Sequence, residues 1–198
     1  MTSVALFAAL VIAAPFPDLA GSLDVVPTSV AVKGKAVAAA RWTDKVGLNV
    51  VVLTETARAG DASGGTKRVY GYHFVREGSD WRQLWRIADA VEDCEFDLTL
   101  DMIGASLSIT DLDGNGTAES TFAYVGSCRS DVSPDELKVL MHEGAQKYAL
   151  RGSTRVQIGE KHGRPEFMGG ERKPDRALAA RKEFLAHAQK VFDASGGK

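Results

Sequence analysis

Residues 109–124 read Ile-Thr-Asp-Leu-Asp-Gly-Asn-Gly-Thr-Ala-Glu-Ser-Thr-Phe-Ala-Tyr. Asp111, Asp113, Asn115 and Glu119 fall at odd offsets around Gly114 and Gly116. The flanking stretches, Ser106–Leu112 and Glu119–Val125, alternate apolar and polar residues. A period of two marks strands with one buried face, so the segment reads as a β-hairpin closed by an acidic loop. Three carboxylates beside two glycines repel one another without a cation. The loop is therefore either a metal-holding turn or an Asx-type polar turn.

The spacing favours a hard cation. Side chains at loop positions 1, 3 and 5 (Asp111, Asp113, Asn115) offer oxygens from three directions, and Gly116 at position 6 permits a sharp turn. The Thr117 carbonyl at position 7 adds a neutral oxygen, and Glu119 at position 9 closes the set. Calcium takes six to eight such ligands from a flexible loop. An EF-hand would need Glu at position 12, where Phe122 stands, and a helix on each side, where strands are expected. The nine residues resemble the D-x-D-x-[DN]-G-x-x-[DE] calcium hairpins of integrin-type and FG-GAP propeller blades, with Asn115 for the commoner Asp and Glu119 for the shorter Asp. One loop does not make a propeller, so the resemblance implies a Ca2+ loop and not that fold.

Outward from this hairpin the chain reads as strands and tight turns. Val30–Trp42, Leu48–Ala57 and Lys67–Glu77 carry strand patterns, the second strongly β-branched. Trp81–Asp93 fits a strand or an amphipathic helix, and the short Gly78–Asp80 turn before it favours a strand. Glu95–Ile103 and Ser106–Leu112 read as two strands with Gly104-Ala105 as their turn. Ser133, Pro134 and Glu136 have the spacing of an N-cap, first helical position and capping box, predicting a helix to Gly144. Lys147–Ile158 reads as a strand or a hairpin about Gly152, and Glu160–Lys173 as loop. Pro174–Ala194 is an amphipathic helix with a stripe of Leu178, Phe184, Leu185, Ala188, Val191 and Phe192.

Cys94 and Cys128 are the two cysteines. In an exported chain an even pair suggests a disulfide. A simple up-down-up meander over residues 95–125 would place them at opposite ends, too far apart to bridge. Either the first of those segments lies outside the meander or there is no disulfide.

Val4–Ala14 is an apolar run too short to span a bilayer and of signal-peptide length. No Lys or Arg precedes it, but Val11-Ile12-Ala13 suits cleavage before Ala14. Residues 1–20 are read as a signal peptide and 21–198 as one domain, periplasmic or extracellular, with no stable membrane span after processing. Residues 147–198 hold 12 Lys and Arg against 6 Asp and Glu, whereas the first 146 hold 12 against 20. The basic positions Arg172, Lys173, Arg176, Arg181, Lys182 and Lys190 could face an anion, but no exposed aromatics accompany them for stacking on bases, and nucleic acid is not expected. His142-Glu143-Gly144-Ala145-Gln146 lacks the second histidine of a zinc protease helix.

The order Cys94, Asp97, the loop from Thr110 to Glu119, Cys128, Asp131, Pro134, Gly144, Tyr148 and Gly152 resembles an uncharacterised family of exported bacterial proteins. Some of its members are labelled as surface polysaccharide biosynthesis proteins. The resemblance covers roughly sixty residues and implies an envelope or secreted location, with surface glycan or an envelope protein as partner and no established catalytic residue. The chain thus reads as an α+β domain: an antiparallel meander or curved sheet, then a capped helix, then a C-terminal amphipathic helix. The leading function is a calcium-stabilised binding or structural protein. The alternative is a glycan-acting enzyme drawing on Asp97, Asp101, His142 and Glu143, and a third reading is an anion-binding adaptor.

Overall fold

The computed structural model describes residues 23–61 and 64–198. The signal peptide expected over residues 1–20 lies outside the described residues. The fold is α+β and mostly antiparallel sheet. A first sheet contains β1 (Lys35–Asp44), β2 (Gly47–Glu55), β3 (Ala59–Asp61), β4 (Gly64–Glu77) and β5 (Asp80–Cys94). β5 runs along one edge of β4, and β2 and β3 along the other. A second sheet has the order β12-β9-β8-β7-β6, from β6 (Asp97–Thr110), β7 (Glu119–Arg129), β8 (Glu136–Glu143), β9 (Gln146–Ser153) and β12 (Arg172–Pro174). β10 (Arg155–Lys161) and β11 (Arg164–Gly169) form a separate exposed hairpin, so the strand expected up to Ile158 continues and the loop expected over Glu160–Lys173 is largely strand. Helices α1 (Arg176–Ala179) and α2 (Lys182–Phe192) end the chain, the latter running into a π-turn over Asp193–Gly197. No helix among the described residues is long and apolar enough to cross a membrane.

The second sheet is the middle layer. Alternation along β7 sends Phe122 and Tyr124 toward the first sheet, where they pack with Trp42, Val51, Leu53 and Trp85. It sends Ala123 and Val125 the other way, onto Leu178, Phe184, Ala188 and Phe192 of the helices. The expected C-terminal stripe is thus the face that covers the sheet. The helix is not continuous, however. Arg181 adopts an extended conformation (φ −116°, ψ 95°) between α1 and α2. Asp175 caps α1, accepting from the Leu178 amide at 2.8 Å.

The helix expected from Ser133 to Gly144 is instead strand β8. Leu140 pairs with Phe122 of β7 and Ala149 of β9, while Val139 and Met141 face the helices. Burial on both faces of a central strand outweighs a local capping pattern. The capping residues serve a turn: Asp131 accepts from the Ser133 amide at 2.9 Å, and Asp135 takes Arg129 at 2.9 Å and Ser127 Oγ at 2.5 Å. Gly144 (φ 54°) turns the β8–β9 hairpin.

The open question of the cysteines is resolved by β6. Residues 97–110 form one strand, with no reversal at Gly104-Ala105. Register jumps from Ile103↔Ala123 to Ser108↔Thr121, so residues 104–107 bulge opposite Phe122 alone. Ser106 replaces the lost ladder bonds: its Oγ donates to the Ile103 carbonyl at 2.6 Å and accepts from the Ala123 amide at 2.7 Å. Gly104 lies against β1, where a Cβ would sit 3.3 Å from the Val37 carbonyl oxygen. With β6 continuous, Leu98 pairs with Cys128, and Cys94 reaches the same end of the hairpin. The Cys94–Cys128 disulfide has a Cα separation of 5.6 Å, within the bridging range.

The first core also buries two imidazoles. His73 lies 5.1 Å from Trp42 and 5.5 Å from Trp85 between ring centroids, and Trp85 stacks on His142 at 4.0 Å. Burial lowers His73 to about 4 and His142 to about 3. Both are neutral when folded and take a proton near pH 6.5 when unfolded, so their stability contribution is complete above pH 6.5 and is lost as pH falls toward 3–4. His142→Phe should therefore flatten the pH dependence of the unfolding free energy between pH 6 and 4 by up to about 1.4 kcal/mol per pH unit. An unchanged slope in urea titrations across that window would contradict this. Reduction of the disulfide, which closes a loop of 34 residues in separation, should lower stability by about 3–4 kcal/mol on chain-entropy grounds. The readout is the urea midpoint with and without reductant.

Candidate metal centre

The hairpin loop forms because β6 and β7 pair up to Thr110↔Glu119 and then separate. Asx bonds shape the loop. Asp113 Oδ1 accepts from the Asn115 amide at 3.1 Å, Asn115 Oδ1 from the Thr117 amide at 2.7 Å, and Asp111 Oδ2 from the Gly116 amide at 3.0 Å. Gly116 is at φ 81°, a left-handed conformation that favours glycine, and the nearest atoms to a Cβ there would be those of the flexible Lys45 side chain.

These bonds gather the acids. Oxygens of Asp111, Asp113 and Glu119 lie within 4.8 Å of one another, a group that could hold a metal ion. Asn115 and Thr117 sit in the same turn, with the Asn115 side-chain oxygen used by Thr117 and its amide donating to Asp113 Oδ2 at 3.0 Å and Glu143 Oε1 at 2.5 Å. Glu119 is wholly buried. Its Oε2 accepts from Thr110 Oγ1 at 3.0 Å and the Leu112 amide at 2.9 Å, while Oε1 has no donor; Asp111 Oδ1 is likewise buried and without one. Burial raises Glu119 to about 7, assisted by the charges of Asp113 and Glu143 and opposed by the two hydrogen bonds. Two lone carboxylate oxygens in a hard-oxygen cluster suit a divalent cation such as calcium or magnesium.

Residues far away in sequence complete the surroundings. From the β1–β2 turn, Asp44 Oδ2 accepts from the Ala118 amide and Trp42 Nε1, each at 3.0 Å, and the Lys45 amide donates to the Gly116 carbonyl at 3.0 Å. Lys45 Nζ also bonds the Asn115 carbonyl. From the helix layer, Arg181 reaches Asp113 Oδ2 at 2.5 Å and Glu143 Oε2 at 3.8 Å, with its guanidinium 4.0 Å over the Phe184 ring. Neither Asp44 nor Arg181 was expected as a partner of this loop; their separations of 74 and 68 residues leave no local signal.

The residues of the enzymatic reading do not converge. Asp97 and Asp101 are exposed on β6, and Asp101 pairs with Lys67. His142 is inside the sandwich, and Glu143 is on the opposite face beside Arg181. The basic positions are dispersed too: Arg172 pairs with Asp193, Arg181 with Asp113, and Arg176, Lys182 and Lys190 are exposed. Compared with protein-family models, curated proteins and solved structures, the chain matches none.

The state of Glu119 sets a testable sign. Its carboxyl is raised from 4.5 to about 7, so without metal its ionisation opposes folding increasingly as pH rises from about 4.5 to 7, by up to about 3 kcal/mol. Glu119→Gln keeps the shape, removes that charge and presents an amide toward Asp111. In metal-free buffer at pH 8 the variant should melt above wild type in circular dichroism; a lower melting point would mean that Glu119 is stabilised by something other than a cation.

Proposed function

We propose that this chain is a calcium-stabilised exported bacterial protein of the envelope or extracellular space, with a binding role toward surface glycan and no catalysis. The observation that carries the metal part is the pair of buried, donorless oxygens on Asp111 and Glu119 inside the three-carboxylate cluster. Calcium is preferred to magnesium because the ligands come from a turn of mixed side-chain lengths, which suits a large ion of flexible geometry better than a strict octahedron. The disulfide supports an oxidising compartment. Surface glycan as partner rests on the resemblance to exported proteins labelled for polysaccharide biosynthesis.

The catalytic alternative is less well supported. A cleft of about 250 Å³ is lined by both Asp89 and Glu136, but Lys138 Nζ lies 2.8 Å from each. Burial would push Asp89 up, yet the bond and charge of Lys138 hold it below its ordinary value. A glycosidase acid needs the opposite shift.

Adding about 10 mM calcium at pH 7.5 should stabilise wild type by about 1.5–3 kcal/mol, taking the 10⁻⁴–10⁻³ M affinities of extracellular modules, which is a rise of several degrees in Tm. Asp113→Ala and Glu119→Gln should lose the calcium response while remaining folded. A wild-type melt indifferent to calcium removes the metal reading. Retention of the purified chain on whole envelope polysaccharide, in calcium but not in EDTA, tests the partner.

A further inference from the structure

A groove of about 420 Å³ runs between the β6 bulge and the end of α2. It is left open where the bulge brings only small side chains to the contact. The bulge presents Ala105 and Ser106. On the other side, His187, Lys190 and Val191 of α2 and Ala194 of the π-turn that continues it recur at i, i+3, i+4 and i+7 and form one face. The neighbouring stripe of Phe184, Ala188 and Phe192 is the one spent on the sheet. Where large residues would have closed the contact to core density, an apolar channel is left instead.

Its chemistry is two-ended. Ile103, Ala105, Val191 and Ala194 supply apolar walls. Ser108 Oγ lies 3.2 Å from His187 Nε2, and one turn along the helix Lys190 is exposed with no carboxylate partner among the described residues. With the imidazole N–H donating to Ser108, the hydroxyl proton is free for an incoming acceptor. No Phe, Tyr or Trp lines the groove, so a sugar lacks the broad aromatic face it usually stacks on. Among the described residues nothing hydrogen-bonds His187 Nδ1, so the Ser–His pair lacks the orienting group of an acyl-transfer dyad.

We propose that this groove binds a medium-chain fatty carboxylate, its tail along Ile103, Ala105, Val191 and Ala194, and its carboxylate held by Lys190 and the Ser108 hydroxyl. The volume falls in the roughly 300–1,000 Å³ range of small-ligand sites. The site is separate from the metal loop and does not depend on it.

The test is isothermal titration calorimetry of the full, disulfide-intact chain with decanoate and with decanol, in EDTA to avoid calcium soaps. Decanoate should bind with a Kd on the order of 10–100 µM. Lys190→Gln should weaken decanoate about five- to tenfold and leave decanol unchanged, a loss of the size of one partly exposed charge pair. Ala194→Trp, at an exposed position, should abolish both, and Ala105→Trp should do the same from the opposite wall. Absence of decanoate binding up to about 1 mM, far above that range, overturns the proposal. So does binding that survives both tryptophan variants, or binding indifferent to Lys190→Gln.

Discussion

The register of β7 against β6 is the constraint on which the other features depend. β7 is covered on both faces, by the first sheet through Phe122 and Tyr124 and by the helices through Ala123 and Val125. A slip of one residue would exchange these sets and place aromatic rings where small side chains fit. The same register sets both ends of the hairpin. At one end it brings Cys128 beside Leu98 and so within reach of Cys94. At the other it draws Glu119 under Thr110 and Leu112, which positions the acidic loop.

The bulge at residues 104–107 makes this possible. It absorbs extra residues without ending β6, so alternation is broken locally and restored afterwards. In sequence the interruption looks like a turn, because Gly104 and Ala105 lie between two alternating runs. What distinguishes bulge from turn is tertiary: the Ser106 hydroxyl takes over two backbone partners, and β1 passes close to Gly104. Neither can be read from neighbouring residues. The same limit explains β8. Ser133, Pro134 and Glu136 have helix-start spacing, yet the segment is claimed by strands on both sides. By contrast, β2 and the C-terminal stripe were legible, since a β-branched run buried on both faces and a 3.6-residue apolar period each carry their own signal. The loop acids were legible for a similar reason: Asp111, Asp113 and Glu119 are local, and a hairpin brings local residues together. Their partners Asp44, Lys45 and Arg181 come from other layers and had no such signature.

Those partners show what a cation held in this loop would act on. An EF-hand sensor couples the ion to helices that can change their angle. Here Glu119 belongs to a strand paired on both sides, with Thr110 of β6 and with Glu143 of β8. Asp44 ties the loop to the first sheet, and Arg181, set at the break between α1 and α2, ties it to the helix layer. All three layers therefore meet at one turn of chain. A cation bound among Asp111, Asp113 and Glu119 would neutralise the buried carboxylate without moving the strand that carries it, because the ladder bonds of β7 hold its backbone on both edges. Its effect would be to fasten the layers at a point where buried like charges otherwise oppose them, which is the behaviour of a clamp and not of a switch.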